Sequence, residues 1–333
     1  MELLEAKKQV IKAGIELSES GLIARTWGNV SCRTDEDHFA ITASGRNYLT
    51  LTEDEVIEVS MEDLSYEGDI KPSSENKLHR EVYRIRPDVN FVIHTHQSNA
   101  SAVAAMGLPG VKFDKDYPGI GHFVLVAEYG LPGTKKLCKN TAKTVNEYDS
   151  KAVIMSNHGA LCYGESYEEA FEIARTLEEA CGKFLESIGV PAWKEQSAAD
   201  ADASADAQES ADEPIWNDDP AIMKYMNARD VLKPHLDDFA QLAGPSLKII
   251  DQDDKKADKL IEKAIAEGHP LLVRGKGALC AAEERGDAEA LSIVIEKNCR
   301  AALAAIGGKP INHVECVLMR QIYLNKYSKQ SKK

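Results

Sequence analysis

The sequence predicts an α/β protein in which helices pack in layers on a β-sheet, followed by a smaller unit of related construction. Short apolar runs alternate with longer amphipathic stretches along residues 1–195. A marked change of composition follows at 196–213, and the segment 271–310 then resembles the segment 152–191. Alternation of strand-like and helix-like segments is typical of layered α/β domains.

The individual elements follow from hydrophobic periodicity. Three short β-like runs are predicted, at 39–42, 91–94 and 152–155. Helix-like stretches are predicted at 2–18, 74–85 and 167–188. Farther along, a helix near 255–267, an apolar run at 270–273 and a long helix at 287–305 are predicted.

Composition excludes several classes of protein. The chain has 333 residues, 43% apolar and 28% charged, so it can bury a core without the help of disulfides. Its net charge of −14 opposes binding to nucleic acid, and no apolar run reaches the 18 residues typical of a membrane span. The seven scattered cysteines never form a Cys-x-x-Cys pair. We therefore expect reduced, mostly buried thiols and a cytoplasmic location.

The segment 196–213 divides the chain. It is rich in Ala, Asp and Ser and carries repeated acidic charge, which predicts a flexible linker. We expect one domain at 1–195 and a second domain at 214–333.

The second domain is interpreted as a degenerate partial repeat of the first. Both copies contain Gly-Ala-Leu-Cys and end in Gly-x-Pro, although two unrelated units of similar composition would be the alternative. Lys276 stands where the first copy has His158, and Gly275 where it has Asn157. Whatever role His158 has in the first copy, the second copy therefore lacks the side chain for it.

A candidate metal site begins with His94 and His96. They end the apolar run that starts at Phe91, and side chains two residues apart on a strand project to the same side. Two imidazoles on one side can bind one cation, although a pair of ordinary hydrogen-bonded histidines has the same spacing. His158 follows another apolar run and precedes Gly159. Three histidines with an open fourth position are typical of a catalytic Zn²⁺ site.

Small polar loops form a second candidate feature. The segment 72–75, Pro-Ser-Ser-Glu, predicts a helix start, and its two serines could serve only as N-caps. Alternatively, its free amides and hydroxyls bind a phosphate while Glu75 points toward the metal. Two further loops contain glycine, one at residues 28–29 and one at 44–45. Either they are plain turns, or they surround the same phosphate with neutral hydrogen-bond donors. The candidate phosphate-binding residues are Gly28, Asn29, Ser44, Gly45, Ser73 and Ser74.

Five motifs in order resemble the class II aldolase/adducin family over residues 1 to about 190. They are GNVS (28–31), TASG (42–45), PSSE (72–75), HTH (94–96) and NHG (157–159). The resemblance implies a three-layer α/β/α domain with Zn²⁺ held by the three histidines, and Glu75 as acid/base. It also implies cleavage of a ketose 1-phosphate to dihydroxyacetone phosphate and a short aldehyde, in a homo-oligomer that is generally a cyclic tetramer.

The aldolases of this family also use a tyrosine from a neighbouring subunit to protonate the aldehyde oxygen. Ungapped placement puts Phe113 at that position, and Phe113 cannot transfer a proton, so Tyr117 is the candidate replacement. Two alternatives stay open: a pentulose-phosphate 4-epimerase, although those enzymes carry Asp where this chain has Glu75, and a non-catalytic adducin-like scaffold. The retained histidines argue against the scaffold.

Overall fold

The computed structural model describes residues 1–23, 27–194, 214–305 and 307–327. The predicted linker at 196–213 and Thr26 lie outside the described residues. The strands of the first sheet are β1 (Asn29–Arg33), β2 (His38–Thr42), β3 (Val56–Ser60), β4 (Phe91–Thr95), β5 (Gly110–Tyr117), β6 (Gly121–Ala127), β7 (Ala152–Met155) and β8 (Gly159–Gly164). The helices around it are α1 (Leu3–Glu19), α2 (Asn76–Ile85), α3 (Ser98–Ala104), α4 (Lys135–Glu147) and α5 (Tyr167–Ser187).

These elements form three layers. The eight strands lie in the order β3-β2-β1-β4-β8-β7-β6-β5. Helices α1, α3 and α5 contribute to the apolar cluster on one face, and α2 and α4 to the cluster on the other. This confirms the predicted layered α/β class.

The central strand β4 is buried on both faces. Ile93 belongs to the cluster on the α1 and α5 face, whereas Val92 belongs to the cluster on the α2 face. Strand β4 pairs antiparallel with β1 on one side and with β8 on the other. The alternation that places Val92 on the α2 face places His94 there as well.

A second, five-stranded sheet lies in the order β10-β11-β12-β13-β9. Its strands are β9 (Ile215–Asn217), β10 (Val231–Leu232), β11 (Leu247–Asp251), β12 (Leu271–Arg274) and β13 (Gly277–Cys280). The helices are α6 (Pro220–Ala228), α7 (Asp237–Ala243), α8 (Ala257–Glu267), α9 (Arg285–Ala304) and α10 (His313–Ile322). Helix α9 packs against α3 of the first unit.

The two units share a strand-turn-strand-helix order, β7-β8-α5 in the first and β12-β13-α9 in the second. Asn157 has a φ of 59° in the first turn, and Gly275 has a φ of 91° in the second. The matching turns support the proposed duplication. Lys276, at the position of His158, is exposed.

The predicted start of α2 at residue 74 is wrong by two residues, since the helix begins at Asn76. Residues 71–73 run alongside 42–44 instead: the amide of Ser44 donates to the carbonyl of Lys71, and that of Ser73 to the carbonyl of Thr42, both at 3.0 Å. Backbone pairing therefore holds Ser73 and Ser74 in a loop.

All seven cysteines are free, and all except the half-buried Cys138 are buried. In the described part of the chain, no helix has the length and apolarity needed to cross a bilayer.

Shortening Ile93 to Ala should destabilise the protein by about 2–5 kcal/mol, because it leaves a cavity under the central strand. The matched control is Ile265→Ala on α8, where the side chain is 41% exposed and the expected change is within about 0.5 kcal/mol. Urea unfolding followed by circular dichroism measures both. Equal destabilisation by the two variants would contradict the assigned core.

Candidate active site

His94 and His96 lie at the end of β4 and just beyond it. His94 pairs with Asn29 of β1 on one side and with Leu161 of β8 on the other. A Cβ at Gly28, where φ is 126°, would lie 2.7 Å from the carbonyl oxygen of His94. Only glycine therefore permits this loop to pass so close to the histidine strand.

His158 is held in the turn between β7 and β8. The preceding Asn157 adopts a left-handed conformation, and its side-chain amide donates to the carbonyl of His235 at 2.8 Å. A Cβ at Gly159 would lie 2.2 Å from the carbonyl oxygen of Thr95. This turn can therefore pack directly against the end of β4 and bring His158 to the other two histidines.

The three imidazoles form one buried cluster with Glu75. Ligand atoms of His94, His96 and His158 lie within 4.8 Å of one another. The Nε2 atoms of His94 and His96 are 3.0 Å apart. Oε2 of Glu75 lies 3.3 Å from Nε2 of His94, and its Oε1 lies 3.2 Å from Nε2 of His158.

The opposite ring nitrogens face hydrogen-bond acceptors. Nδ1 of His94 lies 2.9 Å from the carbonyl oxygen of Ala160, and Nδ1 of His158 lies 2.9 Å from Oδ2 of Asp237. A proton on each Nδ1 satisfies these contacts and leaves the Nε2 lone pairs directed into the cluster.

This donor set fits a metal ion. In the described residues, Nε2 of His158 is buried without a hydrogen-bond partner of adequate geometry. Zn–N bonds of about 2.0–2.1 Å in a tetrahedron separate ligand atoms by roughly 3.3 Å. The Nε2 atoms of His94 and His96 are 3.0 Å apart, and the ligand atoms of all three histidines lie within 4.8 Å of one another. His94, His96 and His158 could hold the ion, with Glu75 beside it.

Electrostatics in the metal-free cluster keeps two of the three histidines neutral and the third protonated at neutral pH. Burial lowers the pKa of His94 to about 4 and that of His96 to about 3. Burial also opposes charge on His158, but its contacts with Asp237 and Glu75 outweigh this and raise its pKa to about 10. Burial likewise disfavours the Glu75 carboxylate, yet His94 and His158 hold its pKa well below the ordinary value. The carboxylate is thus ionised at neutral pH.

A cavity of about 870 Å³ opens beside this cluster. Glu75, His96 and His158 line it, and so do the predicted phosphate-binding residues Gly28, Asn29, Ser44, Gly45, Ser73 and Ser74. The second unit forms another part of the wall, through Gln241, Glu289, Ile293, Met319 and Tyr323. The sequence analysis assigned none of these five residues to the site.

Tyr117 does not line this cavity. It ends β5, the edge strand of the first sheet, and its hydroxyl donates to Oδ1 of Asp114 at 3.2 Å. Phe113 packs against it, with ring centroids 5.6 Å apart. A catalytic role for Tyr117 in a neighbouring subunit's site stays a prediction.

A buried polar network supports Glu75 from the side of α2. The amide nitrogen of Asn29 donates to Oε2 of Glu75 at 3.0 Å, and the Asn29 oxygen contacts Nε2 of His79. Nδ1 of His79 lies 2.6 Å from the hydroxyl of Ser31. Burial and the neighbouring His94 lower the pKa of His79 to about 3.

Three buried charged residues near the histidines escaped the sequence analysis. They are Asp237, Asp238 and Lys297, and each is at most 1% exposed. One signal was available: the two adjacent aspartates stand between Leu236 and Phe239, and carboxylates in an apolar context are buried only when they have partners.

Comparison with known proteins identifies the family of this chain. The family described as Class II Aldolase and Adducin N-terminal domain matches residues 8–185. A 5-deoxy-D-ribulose 1-phosphate aldolase from Bacillus thuringiensis serovar kurstaki is 32% identical over 196 residues, which are 57% of this chain and 90% of that relative. The chain belongs to the class II aldolase/adducin family.

Solved structures show the same fold. An L-fuculose 1-phosphate aldolase, 27% identical, aligns with a TM-score of 0.52 over 60% of this chain and 94% of its own. The putative aldolase/epimerase/decarboxylase YgbL from Klebsiella pneumoniae, 22% identical, aligns with a TM-score of 0.51 over 61% of this chain and 99% of its own. The named aldolases among these relatives support a class II aldolase lyase.

Removing one histidine should abolish metal binding. Protein purified without chelator should carry about one metal ion per chain, and His94→Ala should lose it, because two imidazoles hold the ion too weakly. Elemental mass spectrometry measures the metal, and His122→Ala, at an exposed position, is the control. Full metal content in His94→Ala would contradict the assigned cluster.

Buried His79 should make stability depend on pH. Its folded pKa of about 3 lies below the ordinary value of 6.5, so the unfolded chain binds more protons between these values. Protonation of His79 in the unfolded chain therefore lowers the free energy of unfolding as the pH falls from 6.5 toward 3. In metal-free protein, His79→Gln should reduce the slope of the free energy of unfolding against pH by up to about 1.4 kcal/mol per pH unit. Urea unfolding between pH 4 and 7 tests this, and an unchanged slope would contradict it.

Proposed function

We propose that this chain is a zinc-dependent class II aldolase that cleaves a ketose 1-phosphate to dihydroxyacetone phosphate and a short aldehyde. The observation that carries the proposal is one cavity that combines His96, His158 and Glu75 with the loops at 28–29, 44–45 and 73–74, beside the three-histidine cluster. A histidine cluster without an adjoining cavity would not support the proposal. Phosphate-binding loops without an acid/base residue beside them would not support it either.

Zinc is the proposed metal because three imidazole donors with an open position suit it. When bound, it would supply Lewis acidity at the oxygens of the substrate. His94 and His158 would hold it through Nε2, as the acceptors facing their Nδ1 atoms favour, and His96 would be the third ligand.

Glu75 is the proposed acid/base. Its carboxylate is ionised at neutral pH and lies against Nε2 of both His94 and His158, at the edge of the cavity. In cleavage, the hydroxyl that becomes the aldehyde carbonyl loses its proton as the C–C bond breaks, and the carbon of the three-carbon fragment gains a proton. An ionised carboxylate at this place can take up a proton at Oε1 or Oε2 and donate it to that carbon. The Asn29 amide fixes the carboxylate by donating to Oε2.

The loops are proposed to bind the phosphate with neutral donors. Ser73 and Ser74 lie in the loop before α2, and pairing with residues 42–44 keeps that loop beside Ser44 and Gly45. Backbone amides and hydroxyls can bind a phosphate without a cluster of lysines, which suits a chain of net charge −14.

The substrate is proposed from the relatives. They are named for aldol cleavage of 5-deoxy-D-ribulose 1-phosphate and L-fuculose 1-phosphate, and both sugars are candidates. A homo-oligomer, with Tyr117 directed to a neighbouring site, belongs to the same proposal.

Replacing Glu75 by Gln should remove turnover without removing zinc. The amide keeps the size of the side chain but cannot accept the proton, so kcat should fall by about 10²–10⁴-fold. Release of dihydroxyacetone phosphate from each candidate sugar, measured by coupled reduction, gives the rate. Elemental analysis of the same samples gives the zinc content.

The matched control is Glu67→Gln, at an exposed position, which should leave kcat and zinc unchanged. A fully active Glu75→Gln variant would contradict the role of Glu75. Zinc-loaded wild-type protein that releases no dihydroxyacetone phosphate from any ketose 1-phosphate would contradict the proposed function.

A further inference from the structure

The second unit reaches the histidine cluster through the start of α7. The amide of Asp237 donates to the carbonyl of Asn157 at 2.9 Å, and the Asn157 side chain donates to the carbonyl of His235. These two bonds join the segment 235–237 to the turn that carries His158. The segment lies outside residues 8–185, which match the family domain.

Asp237 is bound at both carboxylate oxygens. Oδ1 accepts a hydrogen bond from the hydroxyl of Tyr129 at 3.1 Å, and Oδ2 lies 2.9 Å from Nδ1 of His158. Tyr129 belongs to the first unit and Asp237 to the second. The carboxylate is therefore fixed in direction, and it fixes the ring of His158 in turn.

Asp238 lies next to His96 at a longer distance than that between Asp237 and His158. Its Oδ1 accepts from the amide of Phe239 at 2.7 Å, and its Oδ2 forms an ion pair with Lys297. The same Oδ2 lies 3.5 Å from Nδ1 of His96, which has no hydrogen-bond partner of adequate geometry among the described residues, and Lys297 donates to the carbonyl of His96 at 2.9 Å. The backbone and the ring of His96 thus both face groups from the second unit.

Full burial of these carboxylates argues for a role beyond packing. Asp237 and Asp238 are both 0% exposed, and adjacent buried carboxylates repel each other and lose their hydration. Apolar side chains would join two units at lower cost. A carboxylate that accepts from a ligating imidazole has a specific benefit, since it selects the tautomer, orients the ring and makes the opposite nitrogen a stronger donor to metal.

We propose that Asp237 and Asp238 are positioning residues that hold His158 and His96 for metal binding, so that the second unit completes the metal site of the first. This inference rests on the proposed function, because it requires the histidines to bind zinc. Two of the three ligating rings then depend on residues that the repeat contributes, although the repeat has Lys276 in place of a ligand of its own.

Zinc affinity of the metal-free full chain tests the proposal. Protein stripped with a chelator and then freed of it is titrated with zinc in competition with a chromophoric chelator. Asp237→Asn keeps an oxygen acceptor but loses the charge, whereas Asp237→Ala loses both. We expect zinc binding to weaken by about 10–100-fold in Asp237→Ala and by less in Asp237→Asn.

The variant Asp238→Asn leaves the buried ammonium of Lys297 without its partner and could fail to fold for that reason alone. The double variant Asp238→Asn/Lys297→Met removes both charges and should fold, with zinc affinity weakened about 10-fold. The control is Asp253→Asn, at an exposed position in the second unit, which should bind zinc as the wild type does.

Two further measurements separate positioning from packing. Thermal unfolding of each metal-free variant reports folding, and the visible absorption of the cobalt-loaded protein reports the ligand geometry. Weaker zinc binding with an altered cobalt spectrum supports the proposal. Zinc affinity and cobalt spectrum equal to those of the wild type, even with a lower melting temperature, would overturn it while leaving the proposed function intact. A wild-type protein that binds no zinc would overturn both.

Discussion

Several histidine nitrogens and glutamate oxygens direct their lone pairs toward one another in a buried cluster of this protein. Such an arrangement is stable only when a cation or a proton lies among them. Nε2 of His94, Nε2 of His158 and both oxygens of Glu75 converge at separations of 3.2 to 3.3 Å. In the metal-free cluster, a proton on His158 meets the need, as its raised pKa indicates. A metal ion that binds among these donors takes the place of the His158 proton and carries a higher charge. The architecture around the cluster serves to keep these donors together despite their repulsion.

Close approach of neighbouring backbone segments to β4 keeps these donor atoms together. The loop before β1 and the turn before β8 approach β4 so closely that Gly28 and Gly159 leave no room for a Cβ. Strand β4 lies between β1 and β8, so Asn29 at the start of β1 and His158 in the turn just before β8 both lie at the end of β4 that carries His94. The site therefore depends on hydrogen-bond register as much as on the identity of the side chains.

Local pattern was sufficient to predict three of the eight strands and three of the five helices of the first unit. The run 152–155 and the helix beginning at Tyr167 have the predicted bounds within a residue, because strands and amphipathic helices carry their own periodicity. The contribution of Asp237 and Asp238 was missed, because it depends on how two units separated along the chain pack together, and no spacing rule encodes that contact. The late start of α2 was missed for the same reason, since residues 71–73 pair with a distant strand end.

Helix α9 and the start of α7 belong to the same chain as the histidines, and this has a consequence for how the cavity responds to concentration. If a separate molecule formed part of the cavity wall, its presence would depend on an association equilibrium, and dilution would remove it. A wall tethered to the site is present at a fixed stoichiometry of one per cavity. The portion of the cavity that Gln241, Glu289 and Met319 line is thus complete in a solitary chain at any dilution.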